Sequence, residues 1–257
     1  MKYIDYYSDD RIGYAVLNRP DKRNALSHDV VSELKEAFSM AAADEGVKVI
    51  VLKANGDVFC SGADLASLQA LQGYSYEENL ADSNHLKDLF LQIYTLPKVV
   101  IAQVQGHALA GGCGLATVCD FSVTVPEAKF GYTEVKIGFI PAIVMVFLLR
   151  KIGEMKTRQL LLTGDPVSAD EAVNMGLISQ IVPADILDTA VNHIARRMIE
   201  TNSGEAMGTT KRMIAEVQSM KLDEALTFAA RCNADARASD DCKKGINAFL
   251  NKQKLIW

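Results

Sequence analysis

The sequence contains no apolar run long enough to cross a membrane. Its longest such run covers residues 139–149 and is interrupted by Pro141, whereas a membrane-spanning helix needs about 20 apolar residues. The first residues, MKYIDYYSDDRIGYAVL, lack the basic start and apolar core of a secretory signal. We therefore expect a soluble, cytoplasmic protein.

An excess of positive charge is also absent. The 257 residues carry a net charge of -5, and the isoelectric point is near 5.4. Nucleic-acid phosphates are bound by basic surfaces, so we predict no nucleic acid and no membrane among the partners. A small anionic ligand held by a few lysine or arginine side chains remains compatible with this composition.

The cysteines and histidines form no recognisable disulfide or metal-binding pattern. The histidines lack the spacing of metal ligands, and no two cysteines form a C-x-x-C pair. An odd number of scattered cysteines is typical of reduced thiols in the cytosol. The cysteines are Cys60, Cys113, Cys119, Cys232 and Cys242. We therefore predict no bound metal.

Strand and helix patterns alternate through the first two-thirds of the chain. The runs Ile12–Leu17, 47–52 and Val99–Val104 predict buried strands. Amphipathic segments between them predict helices, the first of which begins after a capping Ser27. From about residue 184 only helical patterns follow. This order predicts an α/β protein with an all-helical C-terminal region.

Two predicted strand-to-helix junctions consist of small residues. One is Ser61-Gly62-Ala63, and the other runs from Gly106 through Ala110-Gly111-Gly112. Small residues let a ligand approach the backbone closely, and the first N–H groups of a helix are free to bind it. Such groups suit a phosphate, or an oxygen on which negative charge develops.

A single carboxylate, Glu134, follows the second junction along the chain. Residues 130–133 before it (FGYT) form a segment too apolar for an ordinary solvated acid. Two N–H donors and one poised carboxylate are enough to move a proton next to a carbonyl group. From these residues alone, a tight turn and a solvated glutamate remain the alternative interpretation.

Four blocks of the sequence share the order and spacing of one enzyme family. They are NRP at 18–20 with NAL at 24–26, FCSGADL at 59–65, GHALAGG at 106–112 through CD at 119–120, and AKFGYTE at 128–134 with GFIP at 138–141. Together they resemble the crotonase (enoyl-CoA hydratase/isomerase) family over nearly the whole chain. One glycine-rich turn is a weak signal, whereas four ordered blocks are specific.

The resemblance implies a crotonase-like spiral of ββα units followed by a helical region. It divides the chain into a core at 1–195, which carries the acyl-CoA site, and a helical oligomerisation region at 196–257. It also implies trimers or dimers of trimers, and an acyl-CoA thioester as the substrate. No cofactor is expected besides the coenzyme A of that substrate.

The resemblance also assigns site residues. Two backbone N–H groups bind the thioester oxygen in such enzymes, and the matching residues here are Ala63 and Gly111. Glu134 matches the carboxylate that exchanges a proton with the substrate α-carbon, and its apolar setting is expected to raise its pKa. The residues implied to contact substrate or coenzyme A are Lys22, Arg23, Ser61, Ala63, Asp64, Leu65, Gly111, Phe249 and Lys252.

The sequence departs from the family at Gly114. Hydratases of this family usually carry a second glutamate there, in G-G-x-E-L-A, so the activation of water by two acids is in doubt. The alternatives are a hydratase that uses Glu134 alone, a Δ3,Δ2-enoyl-CoA isomerase, a decarboxylase, or a catalytically silent acyl-CoA-binding protein. Residues 134–153 resemble the 3-methylglutaconyl-CoA hydratase branch, which favours a hydratase. If the missing acid limits the reaction, Gly114→Glu is expected to increase hydration of crotonyl-CoA.

Overall fold

The computed structural model describes residues 1–257, except for the side chain of Leu65. The strands are β1 Ile4–Asp9, β2 Ile12–Leu17, β3 Val49–Ala54, β4 Val58–Cys60, β5 Val99–Val104, β6 His107–Leu109, β7 Phe121–Thr124, β8 Lys129–Gly131, β9 Val167–Ser168 and β10 Gln180–Ile181. The α-helices are α1 His28–Ala43, α2 Leu65–Leu71, α3 Tyr76–Thr95, α4 Gly111–Val118, α5 Ala142–Thr163, α6 Ala169–Met175, α7 Leu187–Thr201, α8 Gly204–Val217, α9 Leu222–Ala238 and α10 Asp240–Leu250. Short 3-10 helices occupy Pro20–Lys22, Glu134–Ile137 and Ala184–Ile186.

The strands form two sheets that the chain visits alternately. The larger sheet has the order β1-β2-β3-β5-β7-β10, and the smaller one has the order β4-β6-β8-β9. The chain passes from β3 to β4, from β5 to β6 and from β7 to β8, and helices follow each pair. This repeated ββα unit winds the chain into a spiral. The predicted α/β class and spiral are therefore confirmed.

Two of the long strands in the larger sheet are buried on both faces. All six residues of β5 are buried, and all six of β2 are buried as well. Strands β2, β3, β5, β7 and β10 pair in parallel, and helices that connect parallel strands cover the sheet faces. A continuous apolar run was therefore the correct sequence signal for β5.

Three parallel strands of the smaller sheet end at the same edge of that sheet. Its strands β4, β6 and β8 are parallel neighbours, with Cys60 opposite Ala108 and Leu109 opposite Gly131. Each of these strands has only three residues. Because parallel strands end at the same edge of a sheet, the residues that follow β4, β6 and β8 lie close together.

The C-terminal region is helical, as predicted. Helix α7 buries Leu187, Val191, Ala195 and Ile199 at helical spacing and packs against β3, β5 and β7. The boundary predicted between residues 195 and 196 lies inside this helix. In contrast, α9 buries only Cys232 and α10 buries only Ala248.

Two sequence patterns are worth comparing with the structure. The apolar pattern at 141–152 predicts an interior helix, but α5 continues to Thr163, bends at Gly153 and exposes Val146. An all-apolar run does not reveal which face of a helix is buried. The mixed pattern at 67–80 predicts a mobile loop with helical pieces, and the helical pieces are most of α2 and the capped start of α3, with residues 72–75 between them. No helix in the described part of the chain combines the length and apolar character of a bilayer span.

Asn24 connects the loop after β2 to the β3–β4 turn. Its side-chain Nδ2 donates to the carbonyl oxygens of Asn55 and Val58, both at 2.8 Å. Its Oδ1 accepts from the Arg19 N–H at 2.9 Å. The residue is 1% exposed and has a left-handed backbone with φ of 53°, a conformation that asparagine tolerates better than most residues.

We predict that Asn24→Ala lowers the free energy of unfolding by about 3 kcal/mol, because it leaves two half-buried carbonyl groups without donors and removes the acceptor of the Arg19 N–H. Asn79→Ala is the matched control, since Asn79 Nδ2 also bonds two carbonyl oxygens but at an exposed position. Denaturant unfolding of both variants measures the difference. Equal losses in the two variants would contradict the role assigned to Asn24.

Candidate active site

The three residues predicted to be catalytic follow three adjacent parallel strands. Ala63 follows β4, Gly111 follows β6 and Glu134 follows β8. The Ala110 N–H donates to the Gly131 carbonyl oxygen at 2.7 Å, and this bond holds the residues that follow β6 next to the end of β8. The fold therefore brings these three predicted residues to one edge of the smaller sheet.

The turn that carries Ala63 is held on both sides of that residue. The Leu26 N–H donates to the Gly62 carbonyl oxygen at 2.7 Å, and the Asp64 N–H donates to the Leu26 carbonyl oxygen at 3.0 Å. Ala63 itself is exposed. Its N–H takes part in none of the hydrogen bonds among the described residues. A fixed turn with an open N–H suits the binding of a ligand oxygen.

Gly111 is the first residue of α4 and lies against the Ala63 turn. The helix has no side-chain cap, because the residue before it is Ala110, so the first N–H groups remain open. Gly62 has φ of +92°, and a Cβ added to it would lie 3.4 Å from the Gly111 nitrogen. The two small-residue turns are therefore in direct contact.

Glu134 begins the 3-10 helix Glu134–Ile137 and is half-buried. Its Oε2 is buried and has no hydrogen-bond partner in the described part of the chain. Burial raises the pKa of the carboxyl group above its usual value of 4.5. The apolar residues near Glu134 in the sequence differ in burial: Phe130 and Tyr132 are buried, whereas Ile137 and Phe139 are 70% and 53% exposed.

A buried polar network connects the segment before Glu134 with α4. The Tyr132 hydroxyl lies 2.7 Å from Thr117 Oγ1, which donates to the Cys113 carbonyl oxygen at 2.8 Å. Tyr132 is fully buried. Burial raises the pKa of the Cys113 thiol to about 12, which excludes a reactive thiolate at neutral pH. Sequence reasoning missed this network because no motif joins Tyr132 to Thr117.

Apolar side chains close the space around Gly114. A Cβ added to Gly114 would lie 2.6 Å from Val144 Cγ1 and 2.9 Å from Phe90 Cζ. Both of these side chains are buried. A side chain at residue 114 must therefore displace Val144 and Phe90, and the expected gain in hydration from Gly114→Glu stays a prediction.

Asp64 supports the Ala63 turn through two sets of contacts. Its Oδ1 accepts from the N–H groups of Ala66 and Ser67, and its Oδ2 pairs with Arg19 Nη1 at 2.7 Å. These hydrogen bonds lower the pKa of the Asp64 carboxyl group against the opposing effect of its burial. Both oxygens are thus occupied within the fold. In the sequence, Arg19 stands out only as part of the NRP block. The opposite charges of Arg19 and Asp64 are the one sequence feature that could have predicted this ion pair.

The residues predicted to bind coenzyme A lie on two separate parts of the chain. Lys22 and Arg23 are exposed beside the 3-10 helix Pro20–Lys22, and the Ser61 N–H donates to the Arg23 carbonyl oxygen at 3.1 Å. Phe249 lies on α10 with 82% exposure. Lys252 follows α10 with φ of 52°. The side chain of Leu65 lies outside the described residues. These assignments stay predictions.

A large cavity lies elsewhere, between the spiral and the C-terminal helices. It has a volume of about 1320 Å³, and Thr117, Lys151 and Lys211 are among its lining residues. Ala63, Gly111 and Glu134 are not among the described residues that line it. This cavity borders the carbonyl end of α4, whereas Gly111 lies at the amide end.

Comparison with known proteins identifies the family. The sequence profile of the enoyl-CoA hydratase/isomerase family matches residues 8–257. The chain belongs to the crotonase family. It is 40% identical to a Thermus thermophilus protein described as a candidate enoyl-CoA hydratase, over 94% of this chain and 95% of that protein. Crotonyl-CoA hydratase of Syntrophomonas wolfei is 34% identical over 96% of this chain and 94% of its own length.

Solved structures agree with this assignment. The crystal structure of enoyl-CoA hydratase from Mycobacterium smegmatis superposes with a TM-score of 0.92 at 31% identity, and the match covers 99% of this chain and 98% of that one. The prediction that the chain is an enzyme of the crotonase family is therefore confirmed.

The unpaired carboxyl group of Glu134 leads to a prediction that can be tested without a substrate. Because the pKa of Glu134 is raised in the folded state, its contribution to stability is present below pH 4.5 and is lost as the pH rises through the folded-state pKa. We predict that Glu134→Gln is more stable than the wild type at pH 7, by on the order of 1 kcal/mol. The difference should vanish in acid, as measured by denaturant unfolding at several pH values.

Glu171→Gln is the control with the opposite sign. Hydrogen bonds from the backbone and side chain of Ser168 lower the pKa of Glu171, so its contribution is present at neutral pH and is lost as the pH falls. Glu171→Gln should therefore be less stable than the wild type at pH 7. A loss of stability in Glu134→Gln at pH 7 would contradict the unpaired state of its carboxyl group.

The closed space around Gly114 gives a second prediction. Gly114→Glu should lower the free energy of unfolding by about 3 kcal/mol or more, because the new side chain displaces Val144 and Phe90 and buries a charge. Gly73→Glu is the control, since Gly73 is exposed and a Cβ there would meet only one atom within 4 Å, at 3.6 Å. Thermal unfolding of the two variants compares them. A fully stable Gly114→Glu variant would show that the space opens readily.

Proposed function

We propose that this crotonase adds water to, or removes water from, the 2,3 double bond of an enoyl-CoA thioester. The observation that carries the proposal is the buried, unpartnered Oε2 of Glu134 beside two open backbone turns. A carboxyl group without an internal partner is free to exchange a proton with a substrate. The raised pKa suits an acid/base group at neutral pH.

The N–H groups of Ala63 and Gly111 would bind the thioester oxygen. When a nucleophile adds at C3 of the enoyl group, negative charge moves to this oxygen and forms an enolate. Two fixed N–H donors stabilise that charge, and loss of one such donor typically costs about 3 kcal/mol in the transition state. The direct contact between the Gly62 and Gly111 turns supports a common oxygen position.

Glu134 would carry out both proton transfers of the hydration. Its carboxylate accepts one proton from the water molecule whose oxygen bonds to C3. The resulting carboxylic acid then gives a proton to C2 of the enolate, and the carboxylate is restored. Dehydration is the reverse of these steps. One acid thus balances the reaction without a second acid at position 114.

A Δ3,Δ2-enoyl-CoA isomerase is the second candidate, and the closed space at Gly114 favours it. Isomerisation removes a proton from C2 and returns it to C4, so it needs one base and no activated water. Val144 and Phe90 fill the space beside residue 114, where hydratases of this family usually carry another glutamate. The hydratase remains our first choice because residues 134–153 resemble the 3-methylglutaconyl-CoA hydratase branch and the relatives compared above are named as hydratases.

The remaining assignments extend the same proposal. Lys22 and Arg23 would bind coenzyme A phosphates, and Phe249 and Lys252 would reach the adenine end, often from a neighbouring subunit. The 82% exposure of Phe249 supports a role for α10 in contacts beyond its own chain. We propose a trimer or a dimer of trimers, a 3-methylglutaconyl-type acyl group, no cofactor beyond coenzyme A, and a cytoplasmic location.

The test is incubation with crotonyl-CoA, 3-methylglutaconyl-CoA and a 3-enoyl-CoA while the absorbance of the conjugated thioester is followed. Hydration lowers the absorbance of the first two substrates. Isomerisation instead raises the absorbance with the 3-enoyl-CoA, and this result alone would replace our first choice by the second. Binding of all three thioesters without turnover would identify a catalytically silent protein and overturn both.

We predict that Glu134→Gln lowers the turnover number by about 10²- to 10⁴-fold, the usual contribution of a general acid/base. The affinity for the thioester should change little, because the amide keeps the shape of the side chain. Glu127→Gln is the control, since Glu127 is an exposed residue of the β7–β8 turn. A wild-type turnover number in Glu134→Gln would contradict the assignment of Glu134 as the base.

A further inference from the structure

The two ends of α4 differ in their hydrogen-bond partners. At the amide end, Gly111 has no side-chain cap and its N–H is open. At the carbonyl end, Lys151 Nζ donates to the carbonyl oxygens of Thr117 and Cys119, both at 2.9 Å. Lys151 comes from α5, so a different helix supplies the cation that caps α4.

The charge of Lys151 acts mainly on these carbonyl groups. Asp120 is the acidic residue next to them, but its Oδ2 accepts from the Val100 N–H at 2.7 Å and pairs with Lys211 Nζ at 2.7 Å. Lys151 forms none of the ion pairs found among the described residues. Its ammonium group is held in the interior, and burial lowers its pKa.

A cation at the carbonyl end changes the field at the amide end. The peptide dipoles of a helix place partial positive charge at its first N–H groups and partial negative charge at its last carbonyl groups. Helix α4 has eight residues and is therefore about 12 Å long. Lys151 neutralises the partial negative charge at the carbonyl end of α4. The partial positive charge at the amide end, which faces the proposed position of the thioester oxygen, is then no longer offset.

We propose that Lys151 is a positioning residue that fixes α4 and strengthens the hold of the Gly111 N–H on the thioester oxygen. The inference rests on the proposed function, because it assumes that the Gly111 N–H binds that oxygen. It adds to that function a residue at the far end of α4, which contacts neither substrate nor Glu134. The role is electrostatic and geometric, since Lys151 exchanges no proton with the substrate.

The same helix contains a matched control. Lys156 lies on α5 beyond the bend at Gly153, and its Nζ donates to the carbonyl oxygens of Met175 at 2.9 Å and Asn174 at 3.4 Å. These carbonyls belong to the last turn of α6, which carries none of the three predicted catalytic residues. Lys156→Met therefore removes an equivalent cap from a helix outside the site.

The experiment measures how strongly the site polarises a bound thioester. Cinnamoyl-CoA is a conjugated thioester, so hydrogen bonds to its carbonyl oxygen shift its absorption to longer wavelength when it binds. We expect a clear red shift with the wild type and with Lys156→Met, and a smaller shift with Lys151→Met. The turnover number of Lys151→Met should fall by about 2- to 5-fold, the range that a charge at a helix end typically produces, while the affinity for free coenzyme A stays unchanged.

The outcomes separate the two proposals. No red shift with the wild type would overturn the N–H site itself and the role of Lys151 with it. A full red shift and wild-type turnover in Lys151→Met would overturn only the role of Lys151, even if the variant melts earlier. If Lys151→Met does not fold, Lys151→Gln keeps hydrogen-bond donors without the charge, and it should show the reduced shift, whereas Lys151→Arg should restore it.

Discussion

The parallel pairing of β4, β6 and β8 is the constraint on which the site depends. Cys60 lies opposite Ala108, and Leu109 lies opposite Gly131, so the residues that follow the three strands lie at one edge of the sheet. Strands of three residues have few hydrogen bonds of their own, and close packing holds them. A Cβ on Gly112 would lie 2.2 Å from the Cys60 carbonyl oxygen, so α4 can approach β4 this closely only because residue 112 is glycine.

The sequence predicted the parts of the fold that have a long, regular signal. Residues Val99–Val104 form a strand buried on both faces, and a continuous apolar run indicates such a strand directly. Strands β4, β6 and β8 are too short to show any period, so their pairing could not be predicted from the residues alone. The residues alone show two junctions of small residues, and the resemblance to the family implies that Ala63 and Gly111 act together there.

The environment of Glu134 shows why burial is difficult to predict from neighbours in sequence. Its segment is apolar, and the carboxyl group is indeed half-buried with a raised pKa. Yet Ile137 and Phe139 point largely to solvent. Gly114 shows the same difficulty, because the sequence reveals a missing side chain but not what fills its space. Phe90 and Val144 come from α3 and α5, and only the three-dimensional packing brings them to that position.

The hydrogen bonds around Glu134 explain why its carboxyl group stays available. The Tyr132 hydroxyl is already engaged with Thr117, and the Thr117 hydroxyl is engaged with the Cys113 carbonyl oxygen. These groups would otherwise be natural partners for a buried carboxylate, and a partner of that kind would stabilise the ionised form and lower its pKa. Because the hydroxyl groups of Tyr132 and Thr117 bond to each other and to the Cys113 carbonyl oxygen, they leave the Glu134 carboxyl group unpaired and poorly solvated. The same network joins the segment before Glu134 to α4, the helix that begins at Gly111.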